Sequence, residues 1–173
     1  MNSVEIKKME MHIEQNSSYK VLGIAYGGHD TSAALMIDGK VVAACEQERF
    51  DGEKHSRAFP TEAINECLKI GNIDDINAID EIACPNDHHD MIRKVYLEPA
   101  IENMQRVEFL LNDAERVRTF LGMKKLIREN TQFDGPINFF RHHTCHLATA
   151  YYPSGFNEAL IASFDGMGEI ETS

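Results

Sequence analysis

The chain has 173 residues, of which 43% are hydrophobic and 26% charged, a balance that suits one domain or part of one and excludes disordered and collagen-like classes. No apolar run approaches the ~20 residues of a membrane span, so no membrane partner is expected. Seventeen Lys and Arg against 28 Asp and Glu give a formal net charge of −11, which repels a polyanion and argues against nucleic acid as a partner.

Cys45, Cys67, Cys84 and Cys145 form no CxxC pair, so neither a thiolate zinc site nor a redox motif is indicated. The first residues lack the apolar core of a secretory signal, and a cytoplasmic location is expected. Residues 1–18, polar and ending in Asn16-Ser17-Ser18, read as a flexible leader, leaving one folded unit over 19–173.

Val21, Leu22, Ile24 and Ala25 form a first strand that runs into Gly27-Gly28. Thr31 to Ile37 and Lys40 to Cys45 are two more β-rich runs separated by Asp38-Gly39, a dipeptide suited to a type I′ hairpin whose two turn positions need positive φ. Pro60 opens a helix on which Ala63, Ile64, Cys67 and Leu68 recur at helical steps, and Gly71 stops it. Ile79 to Ala83 reads as a buried strand. The span 87–129 has helical period, with Pro99 and Gly122 as starts or breaks. A strand at Ile137 to Phe140, a helix at His142 to Tyr152 and a last strand at Ala159 to Phe164 complete the series. The order β-β-β-α-β-(αα)-β-α-β is that of an α/β mixed sheet with an inserted helical segment, and it resembles one lobe of the actin-like, sugar-kinase-like ATPase fold. Residues 166–173 read as a turn into a further strand, as if a second lobe followed or a partner supplied it.

Three segments carry possible chemistry. His142 and His146 are spaced i,i+4 and so share a helix face, where two imidazoles can grip one metal ion; the same spacing also suits a helix cap and a core histidine. Asp165 ends an apolar run before Gly166, as a third, oxygen ligand or as turn chemistry. In the turn after the first strand, Gly27 and Gly28 let backbone N–H groups approach a phosphate and Thr31 and Ser32 add hydroxyl donors, unless the turn is only a Gly-rich hairpin with Asp30 on its own backbone. His29, in the same turn, can take a proton near pH 7. The charged loop Glu46 to His55 is a solvated loop or brings Arg49 and Lys54 to phosphate oxygens. His88-His89, beside Asp87 and Asp90, reads as a polar surface turn without a role.

Taken together, these segments resemble the N-terminal part of the O-carbamoyltransferases of the nodulation-factor, cephamycin and tobramycin type, a family related to the tRNA threonylcarbamoyl transferases. The resemblance rests on Gly28 to Leu35 (GHDTSAAL), Asp38-Gly39-Lys40, Glu48-Arg49-Phe50 with Lys54-His55, Phe59-Pro60 with Ala63-Ile64 and Cys67-Leu68, His142-His143 with His146, and Asp165-Gly166 with Gly168-Glu169. Gln47 stands where the family usually has Glu, Gly52 where a basic residue is common, and Leu147-Ala148-Thr149 where Ala-Ala-Ser is usual.

The resemblance implies the first lobe of a two-lobed actin-like domain, with a second lobe and an adenylate-forming domain elsewhere. It implies carbamoyl phosphate and ATP as substrates, carbamoyl adenylate as the activated species, and a hydroxylated small molecule as acceptor. His142, His146 and Asp165 would be metal ligands, with iron the family's metal and zinc equally suited by the donor set. His29, Asp30 and Lys54 would line the transfer site. On this reading the chain alone is inactive and self-associates in place of the second lobe. A non-catalytic half-domain that holds a nucleotide or a partner is the alternative. A sugar-kinase-like phosphotransferase is disfavoured, because GGHDTS replaces the DxGT pattern of such kinases and they have no use for HxxxH.

Overall fold

A computed structural model describes residues 18–165. The leader, apart from Ser18, and the Gly166 to Glu169 motif therefore lie outside the described residues. Asp38 and Gly39 both take positive φ, 50° and 76°, and close a hairpin between β2 (Ser32–Ile37) and β3 (Lys40–Glu46) as the dipeptide requires. β1 (Lys20–Ala25) lies antiparallel to β2 and parallel to β4 (Glu81–Cys84), which in turn is parallel to β5 (Ile137–Phe139). The result is a five-stranded mixed sheet in the order β3-β2-β1-β4-β5.

Register explains the core. Cross-strand partners put Leu35, Leu22, Ile82 and Ile137 on one face, with Ala43 next in the same row; all are buried. The neighbouring row on the opposite face is Ala44, Ala34, Gly23 and Ala83, small side chains that are not fully buried. Between β3 and β4 the chain forms the short helix α1 (Glu48–Asp51) and α2 (Thr61–Ile70). α2 places Ala63, Ile64 and Cys67 in the core. Pro60, at its N-cap, offers no side-chain cap. The buried Gln47 supplies one instead: its Oε1 accepts from Ala63 N at 3.3 Å, and its amide donates to Glu62 at 2.6 Å. Gly71 caps the other end at φ −76°, and the left-handed residue is Asn72. Gly71 is needed for space, since a Cβ there would lie 2.4 Å from Leu35 Cδ2.

After β4, helical structure runs unbroken through α3 (His88–Met91), a π-helical stretch (Ile92–Leu97) and α4 (Glu98–Glu102). Pro99 lies in the first turn of α4, directly after the π-helical stretch, and so marks the start of that helix as expected, although the helical run as a whole continues through it. A proline cannot donate to the carbonyl four residues back. Here that carbonyl, Val95 O, accepts instead from Arg106 Nη2 at 3.3 Å. α5 (Met104–Asn112), α6 (Ala114–Leu121) and α7 (Met123–Thr131) follow, with Gly122 separating the last two. Val117, Phe120, Met123 and Ile127 join the same core as α2 and the sheet.

Two expectations are corrected. His88 is not on a surface turn: it is 5% exposed and stacks on Phe120 with ring centroids 4.3 Å apart and planes at 4°. The run Ala159 to Phe164 is not a strand, because no ladder partner pairs with it among the described residues, and Leu160 and Phe164 are exposed. An apolar run becomes a strand only where another backbone satisfies its N–H and C=O groups. Among the described residues no helix is long and apolar enough to cross a membrane.

Candidate active site and metal centre

β1, β3, β4 and β5 run in one direction, so their C-terminal ends lie along one edge of the sheet. The Gly27 turn follows β1, the Glu48 to His55 loop follows β3, His88 follows β4 and α8 (His142–Tyr151) follows β5. Topology thus collects on one edge the segments that carry histidine and carboxylate, the edge where open α/β sheets bind ligands.

At the start of α8, His142 and His146 project one turn apart and meet Asp165. His142 Nε2 lies 2.9 Å from Asp165 Oδ2, His146 Nε2 lies 3.0 Å from His142 Nε2, and His146 Nε2 lies 3.5 Å from Asp165 Oδ2. The three sequence-predicted metal residues are therefore together. Their spacing suits a shared ion. Ligand bonds of about 2.1 Å place neighbouring donor atoms about 3.0 Å apart at 90° and about 3.4 Å apart at the tetrahedral angle. Two imidazoles and one carboxylate suit iron or zinc alike. Arg141, just before the helix, donates to Asp90 Oδ2 at 3.0 Å, and Asp90 also takes Arg93 and Lys94, which tethers α8 to the helix after β4. Hydrogen bonds and charge from Arg93 first and Lys94 second hold the Asp90 carboxyl below the usual carboxylate range, against a smaller opposing effect of lost hydration.

The turn after β1 is shaped by two glycines with different jobs. Gly27 has φ +101°, and a Cβ there would meet Met123 Cε at 3.0 Å and His88 Nε2 at 3.5 Å. Its glycine serves backbone conformation and contact with the core. Gly28 faces open space, with no atom of the described residues within 4 Å of where a Cβ would stand. Thr31 is buried; its N–H and hydroxyl both donate to Ser56 O, at 3.2 and 3.4 Å, and its carbonyl accepts from Gln47 N at 2.9 Å. Ser32 opens β2 and is half-buried.

Asp30, at φ +59°, joins two histidines. His29 Nδ1 lies 2.5 Å from Asp30 Oδ2, and His55 Nδ1 lies 2.8 Å from Asp30 Oδ1. Hydrogen bonds from His55 first and His29 second hold the Asp30 carboxyl below its usual range. An ionised carboxylate only accepts, so both Nδ1 atoms carry their protons. Lys54, expected in this site, is exposed and makes no ion pair among the described residues; its neighbour His55 takes the place beside Asp30. Motif reading passed over His55 as a site residue, although it ends the same Lys54-His55 pair.

Burial pushes the His88 imidazole down to about 4, with Asp87 opposing that shift and His89 and Arg116 adding to it. Its Nδ1 has no hydrogen-bond partner among the described residues. His88 is therefore neutral packing beneath the Gly27 turn at neutral pH.

The profile of the family described as Carbamoyltransferase N-terminus matches residues 20–173. An uncharacterized protein of Synechocystis is 33% identical over 162 residues, covering 88% of this chain and 26% of that protein. The nodulation protein NolNO of Sinorhizobium fredii is 33% identical over 149 residues, covering 82% of this chain and 20% of its own length. An uncharacterized protein of Methanocaldococcus jannaschii is 27% identical over 192 residues, covering 87% of this chain and 31% of that protein. The chain thus spans less than a third of the length of each of these relatives.

Proposed function

The chain belongs to the carbamoyltransferase N-terminus family, and from that membership we propose that it forms the first lobe of an O-carbamoyltransferase, over residues 19–173, which moves a carbamoyl group from carbamoyl adenylate to the hydroxyl of a small molecule. The observation that carries the proposal is the meeting of His142, His146 and Asp165 on the sheet edge that also bears the His29 turn. The three antiparallel strands followed by parallel additions support reading the unit as one lobe of an actin-like fold. Large apolar side chains left exposed after α8, among them Tyr152, Phe156 and Phe164, support a face that a second lobe or a second copy covers.

His142, His146 and Asp165 would hold a divalent metal, iron or zinc. When bound, it would supply stabilisation of negative charge developing on the phosphate or carbonyl oxygen. The chain's own residues supply the proton chemistry. Asp30 fixes the proton of His29 on Nδ1, which leaves Nε2 as a base. The acceptor oxygen bonds to the carbamoyl carbon, the bond from that carbon to the phosphate oxygen breaks, AMP leaves, and the acceptor proton passes to His29 Nε2. The open space at Gly28 lets the backbone of the turn approach the adenylate phosphate, with Ser32 as a further hydroxyl donor and Gly27 and Thr31 holding the turn's shape. Lys54, exposed in its loop, would meet the same phosphate as a point charge.

The test is carbamoyl-phosphate-dependent formation of AMP from ATP by the full-length gene product, together with transfer of labelled carbamoyl to hydroxylated acceptors. His29→Gln should abolish the transfer and the AMP released with it, and leave carbamoyl adenylate formation, read as pyrophosphate release from ATP, in place. ATP turnover indifferent to carbamoyl phosphate, or full transfer by His29→Gln, would refute the proposal.

A further inference from the structure

The Asp30 carboxylate is held from two sides, and the second side belongs to a loop 25 residues away in sequence. His55 has φ +59°, an uncommon backbone for a non-glycine residue. Two partners determine its position. Its N–H donates to Glu48 Oε2 at 3.0 Å, and its imidazole donates to Asp30 Oδ1 at 2.8 Å. Next to it, Ser56 accepts both donors of Thr31, so the two loops are joined by backbone and side chain together. The two ring nitrogens engage opposite oxygens of one carboxylate, and the His29 and His55 rings stand at 80° with centroids 6.2 Å apart.

A carboxylate on an exposed turn can rotate about its last torsion, and one partner alone fixes only one of its oxygens. His55 occupies the second oxygen and leaves the first aimed at His29. We propose that His55 is a positioning residue for carbamoyl transfer: anchored through its backbone by Glu48, it locks the Asp30 carboxylate so that His29 keeps its proton on Nδ1 and presents Nε2 to the acceptor hydroxyl. This inference rests on His29 being the base, and it adds the loop that holds that base in its working tautomer. It also gives Glu48 and His55 one function: the glutamate sets the loop, and the loop sets the carboxylate.

The tautomer of His29 can be read without any transfer assay. In the 15N-histidine-labelled chain, long-range nitrogen–proton correlation spectra at pH 8 should show His29 as the Nδ1–H form. His55→Ala should move His29 to a mixture containing the Nε2–H form, while His55→Asn, whose amide N–H can stand where Nδ1–H stood, should restore the Nδ1–H form. Glu48→Gln, which acts at one remove, should shift it less than His55→Ala does. In the full-length protein, His55→Ala should lower kcat on the order of tenfold with KM for the acceptor little changed, and His55→Asn should recover most of that loss. An unchanged His29 spectrum in His55→Ala, with circular dichroism showing a native fold, would overturn the proposal. So would paramagnetic broadening of both Nδ1 signals by one equivalent of Co2+, since that would make them ligands rather than donors. Failure of the base reading is distinguishable: His29→Gln would then keep full transfer activity whatever the spectra show.

Discussion

Acidification should destabilise this fold through His88, and the size of the effect follows from its burial. The imidazole is pressed against Phe120 beneath the Gly27 turn, and loss of hydration lowers its pKa from the usual 6.5 to about 4. A histidine with a depressed folded-state pKa contributes stability that is fully present above 6.5 and is lost as pH falls toward 4, because the unfolded chain binds the proton first. At pH 5 the unfolded form is favoured about 30-fold by this one site, a loss of about 2 kcal/mol relative to pH 7.5, rising to about 3 kcal/mol at pH 4. The assay is urea unfolding of the chain and of His88→Leu at pH 7.5 and pH 5, followed by circular dichroism. Other titrating groups act in both proteins, so they cancel when the two pH-dependent losses are compared. The loss should be smaller by about 2 kcal/mol in the variant, whatever its absolute stability. Equal losses in the two proteins would show that His88 is not held neutral by burial.

Other consequences are equally concrete. His146→Ala should weaken binding of Zn2+ or Fe2+ by at least about tenfold, since it removes one of three converging donors; titration calorimetry of the chain and the variant checks this, and equal affinity would remove His146 from the ligand set. Gly135→Ala would place a Cβ 2.3 Å from Cζ of the buried Phe133 ring, and the overpacking should cost about 1–3 kcal/mol in urea unfolding. Gln47→Glu would replace a 2.6 Å hydrogen bond to Glu62 with two facing carboxylates. The like charges raise the pair's pKa, so the variant should lose about 1–2 kcal/mol at pH 7.5 and recover part of it as pH falls through that raised pKa, which is the reverse of the His88 trend.

Local rules in the sequence determined much of the scaffold. Asp38-Gly39 specified the first hairpin because few other dipeptides place two successive residues at positive φ, and the structure has both there. The apolar stripe of Ala63, Ile64 and Cys67 specified α2, and the four-residue spacing of His142 and His146 put both imidazoles on one face wherever the helix went. The family motifs, being short and in order, were likewise readable without coordinates. What tertiary structure decided involves pairs far apart in the chain. Parallel pairing of β1, β4 and β5 brought the Gly27 turn, His88 and α8 to one edge, and loop packing put His55 rather than Lys54 on Asp30. His88 looked like a surface residue because its neighbours Asp87, His89 and Asp90 are polar, yet Phe120 and Gly27 bury it. Ala159 to Phe164 looked like a strand because it is apolar, yet a strand also needs a neighbouring backbone, and none pairs with it among the described residues. Periodicity states which face a side chain takes along its own element; it holds no information about what another element, dozens of residues away, brings to that face.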